Sequence, residues 1–554
     1  MFRVSLFLAL FLIALNAKAT VFTVTSGADS GAGTLRQALS LAAANGNAET
    51  DYIHFAIGAS KISITSPLIL SSSLVIDGTT FPGAKLGVSD AKVTIETLNE
   101  YITNQLGAFN GTNVHDVEIY GLCFSNFGSG QRGVRTINIT GSSAITIGAV
   151  GKGNIFLFCD YDIYMFKTNK IKISANWFGI TPDKLSVTGT SFGGTVDLRL
   201  CDNIMLGGET KAEGNSWGYR YNGVMISGIN PSTQSVENVG ELCQVKNNNF
   251  GTEGLPSGIG NPNNFQDFKR IEIINNNVIL SGGFSLKNIS VSGVIQGNRI
   301  GLNSDMTKAY CYSMIDLQNC NNIKIGGKNA GEPNLMAYRV NFGAGTSAIY
   351  ASNCGDILLE RNSIYCVSAT PILYRSENSK VEIPKIAITS FNNGVITGTA
   401  TPNAEVEVFS DGECAQCEAK TYQGTTFATA EGTWSMPVTS NSGFTASATL
   451  NNRTSQFLGI SVNFANVVTT NATCGLANGA IKGIQVAGAT HYEWLDADNN
   501  VIGNQPDITG LKAGTYAFTA FLGPGCKTEN RFLNVLDAQP KIQDRFLAKI
   551  DASC

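Results

Sequence analysis

Short runs of alternating apolar and polar residues fill the chain from about Ser60 to Ile388. Runs such as "KISITSPLILSSSLVIDG", "VHDVEIYGLCF" and "NKIKISANWFGI" are separated by turns rich in glycine and asparagine. A period of two indicates strands that bury one face, and turns of this composition are typical of all-β proteins. The pattern therefore predicts many short strands and very little helix.

One segment near the N-terminus has helical spacing instead. A helix is predicted between an N-cap at Thr34 and a stop signal at Asn45-Gly46, because four apolar residues recur at helical spacing. They are Leu35, Ala38, Leu39 and Ala42. We expect this helix to cover the N-terminal end of the β structure, since exposed strand edges invite pairing with other chains.

A turn motif of the form Asn-x-[Phe/Ile]-Gly recurs along the same region. Its copies are "NWFG" from Asn176, "NNFG" from Asn248 and "NRIG" from Asn298, with weaker copies "SNFG" from Ser125 and "NSIY" from Asn362. The intervals between the first residues of successive copies are 51, 72, 50 and 64. The first three intervals are near two, three and two multiples of one repeat of roughly 24 residues, a length typical of repeat proteins.

A second turn motif begins with [Ile/Leu]-Gly and ends with asparagine. It covers Ile147 to Asn154, Leu206 to Asn215 and Ile325 to Asn334. Repeats of this size with strands and no helices are the signature of a solenoid whose units stack on a shared core. The pattern predicts an all-β fold with a parallel β-helix over residues 20–388; a series of β-sandwiches is the alternative.

Beyond residue 388 the strands become longer and more regularly spaced. The pattern predicts a small antiparallel β-sandwich over residues 389–465. It predicts a second small β module over residues 466–540, with Cys474 near its start and Cys526 near its end. "DASC" at residues 551–554 matches "NATC" at residues 471–474. We therefore expect residues 541–554 to begin a further repeat, with the natural chain continuing beyond Cys554.

Residues 1–19 have the pattern of a secretory signal peptide. A positive residue, an apolar run and "AKA" predict cleavage between Ala19 and Thr20. The apolar run is too short to span a membrane, and no other stretch is as apolar, so we expect no transmembrane segment in the mature chain. Net charge is −4 with 14% charged residues, which gives no electrostatic argument for binding nucleic acid.

Three stretches resemble known families. "FTVTSGADSGAGTLRQAL", together with the repeated turns, resembles secreted right-handed parallel β-helix proteins of gliding bacteria. "GTATPNAEVEVFSD" with "KTYQGTTFATAEGTW" resembles the immunoglobulin-like module that often follows such helices. "NATCGLANGAIKG" with "ITGLKAGTYAFTA" and "GCK" resembles repeats of gliding-motility surface adhesins. The resemblance implies export by a type IX-like outer-membrane secretion machinery to the cell surface or medium.

Thirteen cysteines in a chain with a secretion signal predict disulfides. We expect Cys474 to pair with Cys526, and Cys414 with Cys417 in a local loop. The eight cysteines of the solenoid are expected to be buried free thiols that pack as small apolar residues. They are Cys123, Cys159, Cys201, Cys243, Cys311, Cys320, Cys354 and Cys366.

Asp160 and Asp162 of "CDYDIY" are the best candidates for catalysis. They alternate, so they would share one strand face, and Lys167, Lys170 and Lys172 follow. Parallel β-helix lyases and glycosidases use outward carboxylates with a basic residue. The alternative is that these are ordinary solvent-facing residues.

The three histidines are too scattered for a metal site, and no cofactor motif is present. The sequence favours a non-catalytic secreted or cell-surface adhesion protein. In this interpretation the β-helix binds glycans or other surface polymers, and the β modules act as a stalk. The alternative is a carbohydrate-active enzyme, either a polysaccharide lyase or a glycosidase.

Overall fold

The computed structural model describes most of the chain from Ala19 to Ala538. The described ranges are 19–56, 58–97, 107–128, 133–185, 195–218, 223–237, 239–253, 261–339, 347–367, 371–375, 382–411, 418–440, 443–459, 464–486, 489–522, 527–528 and 531–538. The chain divides into two compact units between Met205 and Leu206.

Three long parallel sheets, named sheets A, B and C, account for most of the strands. They contain 12, 11 and 11 strands, and neighbouring strands in each sheet come from successive coils of the chain. This is the architecture of a parallel β-helix, so the predicted all-β solenoid is confirmed. From Phe109 onward, each complete coil contributes strands in the order B, A, C.

The strand bounds follow the chain within each sheet. Sheet A contains Val21–Val24, Asp51–Phe55, Leu74–Asp77, His115–Tyr120, Ser143–Ile147, Asn169–Ile173, Asp202–Gly207, Gly240–Lys246, Phe268–Ile274, Ser292–Gln296, Ile323–Gly326 and Ile357–Glu360. Sheet B contains Leu68–Ile69, Phe109–Thr112, Arg135–Thr140, Tyr161–Phe166, Val196–Arg199, Met225–Ser227, Asn263–Gln266, Phe284–Lys287, Ile315–Gln318, Ile349–Ser352 and Ile372–Arg375. Sheet C contains Lys61–Ile64, Val93–Thr97, Leu122–Ser125, Ile155–Leu157, Trp177–Phe178, Ser216–Trp217, Asn249–Phe250, Asn277–Val278, Arg299–Ile300, Leu335–Ala337 and Ser363–Tyr365.

A helix covers the first strands of the solenoid, as predicted. It spans Leu35–Asn45, and the Thr34 hydroxyl accepts a hydrogen bond from the amide of Gln37 at 3.2 Å. Its four buried residues are the four that the sequence pattern selects. The helix contacts the end strands of sheets A and B, so it shields edges that would otherwise be open. Short 3₁₀ turns lie at Gly78–Thr80 and Lys211–Glu213.

Buried asparagines form ladders along the solenoid, one asparagine in each coil from that of Asn154 onward. In each coil the asparagine immediately precedes the sheet C strand, and its side chain bonds the next coil. In the first unit, Asn154 donates from Nδ2 to Oδ1 of Asn176 at 2.9 Å. In the second unit the ladder contains Asn215, Asn248, Asn276, Asn298, Asn334 and Asn362.

The ladders show that the two turn motifs have one structural role. Both motifs place an asparagine directly before a sheet C strand; the second motif only inserts a longer loop ahead of it. Consecutive ladder residues are 22 apart in the shortest coils, and 36 apart between Asn298 and Asn334. The coil length is therefore not constant, and reading the interval from Asn176 to Asn248 as three coils is wrong.

The motif copy at Ser125 lies outside this register. Leu122 occupies the ladder position in its coil, because its amide donates to Oδ1 of Asn154 at 3.0 Å. Ser125 instead ends the sheet C strand. The resemblance of "SNFG" to the other copies is therefore coincidental.

Aromatic residues stack two positions after the ladder. Phe124, Phe156 and Phe178 stack in the first unit with 5.0 Å between successive ring centroids. Trp217 and Phe250 stack at 4.7 Å in the second unit. The third position of the Asn-x-Phe-Gly motif thus supplies the core, because stacked coils place identical positions above one another.

The turns between strands differ in how much their length varies. The turn from sheet B to sheet A is short in most coils, but a longer segment separates Ser227 from Gly240 in one of them. A residue with positive φ opens this turn in several coils, including Lys167, Asn288 and Asn319. The connection from sheet C to sheet B also varies: it consists of residues 158–160 in one coil, whereas a longer segment lies between Phe178 and Val196 in the next.

The chain after the solenoid forms small antiparallel sheets. One group of strands contains Ile386–Asn392, Val395–Ala400, Glu405–Ser410, Thr421–Phe427, Thr433–Pro437, Phe444–Leu450, Arg453–Thr454 and Leu458–Gly459. The next group contains Val468–Thr470, Ala472–Thr473, Gly479–Lys482, His491–Leu495, Val501–Gly503, Ile508–Leu511, Gly514–Phe521, Arg531–Val535 and Asp537–Ala538. We call these groups the first and second β modules; one hydrophobic cluster runs through both.

The first β module packs against the last coil of the solenoid. The amide of Leu359 donates to Oγ1 of Thr454 at 2.9 Å, and the amide of Ile364 donates to the carbonyl of Ala419 at 2.9 Å. The hydroxyl of Tyr374 donates to the carbonyl of Thr454 at 2.7 Å. These bonds engage the terminal strands of all three sheets, so the module caps the edge that ends the solenoid.

Candidate functional site

Asp160 and Asp162, the predicted catalytic candidates, are both buried. Asp162 lies in the sheet B strand Tyr161–Phe166 at 0% exposure, and Asp160 lies just before that strand at 1%. A carboxylate oxygen of Asp160 accepts a hydrogen bond from the amide of Gly133. The two residues follow the predicted alternation, but only Asp162 belongs to the strand. Both were expected to be exposed to solvent, and that expectation is wrong.

Two arginines and two tyrosines of sheet B interact with a third carboxylate, that of Asp197. The parallel register places Arg135 opposite Tyr161, and Tyr164 opposite Asp197. The guanidinium of Arg135 lies 3.5 Å from the ring centroid of Tyr164. Arg199 pairs with Asp197 on its own strand, with Nη2 and Oδ2 3.3 Å apart. The charged groups thus have partners within the cluster.

Burial governs the acidity of this cluster. It raises the pKa of Asp197, although Arg199 and Arg135 act in the opposite direction. Burial also raises the pKa of Tyr161, with the negative charges of Asp197 and Asp160 adding to the effect. The raised pKa keeps the hydroxyl of Tyr161 protonated at neutral pH, so this tyrosine is a poor proton acceptor.

The three lysines of the predicted site are not brought together. Lys167 follows the sheet B strand in a turn with positive φ, and its ammonium lies 5.3 Å from the ring of Phe166. Lys170 and Lys172 belong to the sheet A strand Asn169–Ile173. The turn at Lys167 directs the chain onto another sheet, so these two lysines do not share the face of Asp162.

A second polar surface lies on the outer side of sheet B in the second unit. Inward residues of its strands, such as Phe265, Leu286, Leu317 and Ile349, are fully buried. The intervening outward residues form two rows that are continuous through the register. One row ends at the apolar Leu373. We call the other nine outward residues the polar face; they are Asn264, Gln266, Ser285, Lys287, Asp316, Gln318, Tyr350, Ser352 and Arg375.

Six of the nine polar-face residues are neutral hydrogen-bonding side chains. The surface holds few internal bonds: Gln266 donates to Oγ of Ser227 at 2.6 Å, and Arg375 donates to the hydroxyl of Tyr350 at 3.3 Å. Burial raises the pKa of Asp316, although the positive charge of Arg339 acts to lower it. With about 4.8 Å between neighbouring strands, the five strands present an array roughly 19 Å long.

The outer side of sheet A in the same coils has a different character. Its register aligns Glu272, Val294, Lys324 and Leu358 in one row. The charges on this side are paired, with Lys246 2.9 Å from Glu272 and Lys324 3.0 Å from Glu360. Sequence reasoning did not find the polar face, because its residues are scattered along the chain from Asn264 to Arg375 and only the register brings them together.

The described cysteines largely match the predicted states. Seven are free thiols: Cys123, Cys159, Cys201, Cys243, Cys311, Cys320 and Cys354. Cys366 is disulfide-bonded, so its assignment as a free thiol is wrong. Cys474 is also disulfide-bonded. Its predicted partner Cys526, like Cys414 and Cys417, lies outside the described residues, so both predicted pairings stay predictions.

Several further expectations fall outside the described ranges. The signal segment, apart from Ala19, and residues 541–554 are among them. Within the described ranges, no group of three or more His, Cys, Asp or Glu residues could hold a metal ion. Across that same part of the chain, no helix has the length and apolar character needed to cross a bilayer.

Comparisons with known proteins give little guidance. No protein family's sequence profile matches the chain, and no curated protein matches it. Among solved structures, PfbA, a surface adhesin of Streptococcus pneumoniae, has a TM-score of 0.37 and 14% identity, covering 80% of this chain and 99% of its own. The BSP domain of a biofilm-associated protein has a TM-score of 0.12 and 16% identity, covering 28% of this chain and 29% of its own.

A third solved structure contains the fibronectin(III)-like modules of Clostridium thermocellum CbhA. It has a TM-score of 0.11 and 14% identity, covering 30% of this chain and 98% of its own. Similarities this weak support no argument about function, which has to come from the residues themselves.

Proposed function

We propose that this chain is a non-catalytic adhesion protein whose polar face binds glycans or similar surface polymers. The observation that supports the proposal is the polar face itself, a linear array of mostly neutral hydrogen-bonding groups with one aromatic ring. Such groups suit an extended polymer of hydroxyl groups, which is recognised by hydrogen bonds and ring stacking rather than by charge.

The buried state of Asp160 and Asp162 supports binding over catalysis. A polysaccharide contacts only accessible side chains, and these carboxylates are at most 1% exposed. The alternative enzyme, a lyase or glycosidase, has one observation in its favour: the pKa of Asp197 is raised beside two tyrosines, which would suit a proton donor. Asp197 is itself 6% exposed and paired with Arg199, which limits that role.

The wider biological setting extends the same proposal. A signal peptide removed between Ala19 and Thr20 would deliver the chain to export, and a type IX-like outer-membrane machinery would place it on the cell surface or in the medium. The two β modules would then serve as an immunoglobulin-like segment and an adhesin-type repeat of a stalk. The resemblance to proteins of gliding bacteria supports this setting.

Binding of the mature chain to an array of neutral and acidic glycans tests the proposal. We expect a subset of the glycans to bind, and we expect Tyr350→Ala combined with Asp316→Asn to lower affinity at least tenfold. The matched control is Lys324→Ala, which alters the outer side of sheet A in the same coils and should leave affinity unchanged. Equal loss in the control would contradict the assignment to the polar face.

Incubation with the same polysaccharides separates adhesion from catalysis. An adhesion protein produces no new reducing ends and no unsaturated products at any time point. Product formation that disappears in the Asp160→Asn and Asp162→Asn double variant would establish the enzyme instead.

A further inference from the structure

Cys320 and Cys354 contact each other between adjacent coils of the second unit. They follow the sheet B strands Ile315–Gln318 and Ile349–Ser352, whose register places Gln318 opposite Ser352. Two residues further on, the two thiols are neighbours, close enough that each shifts the pKa of the other. Both also donate to backbone carbonyls, Cys320 to Gln318 at 3.3 Å and Cys354 to Ser352 at 3.3 Å. Both are free thiols.

The backbone around the pair holds the two residues at the spacing of neighbouring strands. The amide of Asn319 donates to the carbonyl of Ser352 at 3.1 Å, and the amide of Gly355 donates to the carbonyl of Cys320 at 2.9 Å. The side chains of Asn353 and Asn319 are also bonded at 2.7 Å. Paired neighbouring strands lie about 4.8 Å apart, within the roughly 4.4–6.8 Å between Cα atoms that a disulfide accepts.

The two thiols differ in accessibility and acidity. Cys320 is fully buried, whereas Cys354 is partly exposed and lines a small cavity with Tyr374, Arg375 and Arg453. Interaction with the neighbouring Cys320 thiol lowers the pKa of Cys354 in spite of its burial. The same contact, together with burial, raises the pKa of Cys320. Cys354 is therefore the thiol that is both more accessible and more readily ionised.

We propose that Cys320 and Cys354 form an oxidisable thiol pair that a peroxide converts into a disulfide between adjacent coils. The thiolate sulfur of Cys354 attacks one peroxide oxygen, the O–O bond breaks, and hydroxide leaves, which gives a sulfenic acid at Cys354. The Cys320 sulfur then attacks the Cys354 sulfur, the S–O bond breaks, and water leaves with the Cys320 proton. Overall, two thiols are oxidised and one hydrogen peroxide is reduced to two waters.

Three other buried thiols differ from this pair in acidity. Burial raises the pKa of Cys123, Cys201 and Cys311 to about 12, which keeps them protonated. Cys201 and Cys311 donate to backbone carbonyls, and no second thiol is among the groups that shift their pKa values. These three residues therefore serve as internal controls within the same molecule.

Peptide mapping of the full mature chain tests the proposal directly. The native protein is treated with stoichiometric hydrogen peroxide, unfolded, alkylated and digested without reduction. We expect a disulfide-linked peptide pair containing Cys320 and Cys354, and at least a tenfold loss of alkylation at both residues. Alkylation of Cys123, Cys201 and Cys311 should not change.

Two variants test the order of the steps. In Cys320→Ser, Cys354 should accumulate as a sulfenic acid that dimedone traps, whereas in Cys354→Ser, Cys320 should remain an unmodified thiol. The disulfide is also measured in the wild-type chain, so the proposal can be tested even if a variant folds poorly. Full alkylation of both residues after peroxide treatment of the wild-type chain would overturn the proposal, as would equal oxidation of all five thiols.

Discussion

The amide of Arg361 donates a hydrogen bond to Oε2 of Glu407 at 3.1 Å, across the contact between the last coil and the first β module. Glu407 is 4% exposed, and its other carboxylate oxygen has no hydrogen-bond partner among the described residues. Burial raises the pKa of Glu407 to about 7, and the nearby carboxylates of Glu405 and Glu360 add to the rise. A titratable group therefore lies inside the cap of the solenoid.

The raised pKa predicts that alkaline pH weakens this cap. The folded state holds the Glu407 proton up to about pH 7, whereas an unfolded glutamate releases it near pH 4.5. Stability is therefore complete below pH 4.5 and is lost progressively up to about pH 7, after which the loss is constant. We expect Glu407→Gln to remove this loss, which is on the order of 3 kcal/mol.

Denaturant unfolding of the wild type and Glu407→Gln at pH 5 and pH 8 measures the effect. The variant should gain stability relative to the wild type at pH 8 more than at pH 5. Glu431→Gln, at an exposed carboxylate of the same module, should show no such difference. An identical pH dependence for wild type and Glu407→Gln would contradict the prediction.

Thr454 provides a second test of the cap. Thr454→Val keeps the side-chain shape but removes the acceptor of the Leu359 amide, so a donor of the last coil is left unsatisfied. We expect a loss of about 1–3 kcal/mol in the free energy of unfolding. Amide hydrogen exchange should accelerate at Leu359. The control Thr421→Val, at an exposed strand position of the same module, should change stability by less than about 0.5 kcal/mol.

Two adjacent asparagines, Asn248 and Asn249, allow a ladder residue to be compared with an ordinary, partly exposed asparagine. Asn248 is fully buried, accepts from the amide of Asn215 at 3.1 Å and donates to the carbonyl of Leu206 at 2.8 Å. Asn249 is partly exposed and makes one long bond of 3.4 Å to Ser216. We expect Asn248→Ala to cost about 3 kcal/mol and Asn249→Ala less than about 1 kcal/mol, measured by denaturant unfolding. Comparable losses would argue against a structural role for the ladder.

The sequence predicted the elements that local residues determine. The helix after Thr34 formed with its four expected buried residues, because capping and helical spacing are local properties. The asparagine turns were found because asparagine recurs at the same position in the coils from Asn154 onward. The predicted number of coils between Asn176 and Asn248 was wrong, because inserted loops lengthen a coil without changing its ladder residue.

The candidate site depended on information that a local pattern lacks. Asp160 and Asp162 alternate as expected, but their burial is set by neighbouring segments of the fold. Lys170 and Lys172 are close to Asp162 in sequence but occupy another sheet, because a short turn intervenes. The polar face could be recognised only from the register of five strands. The proposed oxidisable pair could likewise be recognised only from the strand register, because Cys320 and Cys354 lie in successive coils.

The N-terminal helix is held by a polar anchor that can be tested separately. Arg36 lies 2.5 Å from Asp29 and donates to the carbonyls of Pro67 and Ser66 at 3.0 and 2.8 Å. Burial opposes ionisation of Asp29, but bonds from Thr65 and Arg36 hold its pKa below the usual value. We expect Arg36→Ala to cost about 1–2 kcal/mol, because it removes three partners together.

Thermal unfolding measures this loss, with hydrogen exchange locating it in the first coil. Lys85→Ala removes an exposed pair with Asp90 and should leave the melting temperature nearly unchanged. A similar decrease in both variants would mean that the anchor contributes no more than an ordinary surface ion pair.

The variable connection from sheet C to sheet B has a consequence for engineering and for evolution. Successive coils have a ladder asparagine at the same position, whether that connection is as short as residues 158–160 or as long as the segment between Phe178 and Val196. New sequence can therefore be grafted at this corner while the hydrogen-bonded frame stays as it is. The solenoid is in this sense a scaffold whose connecting loops can change independently of the elements that keep the protein folded.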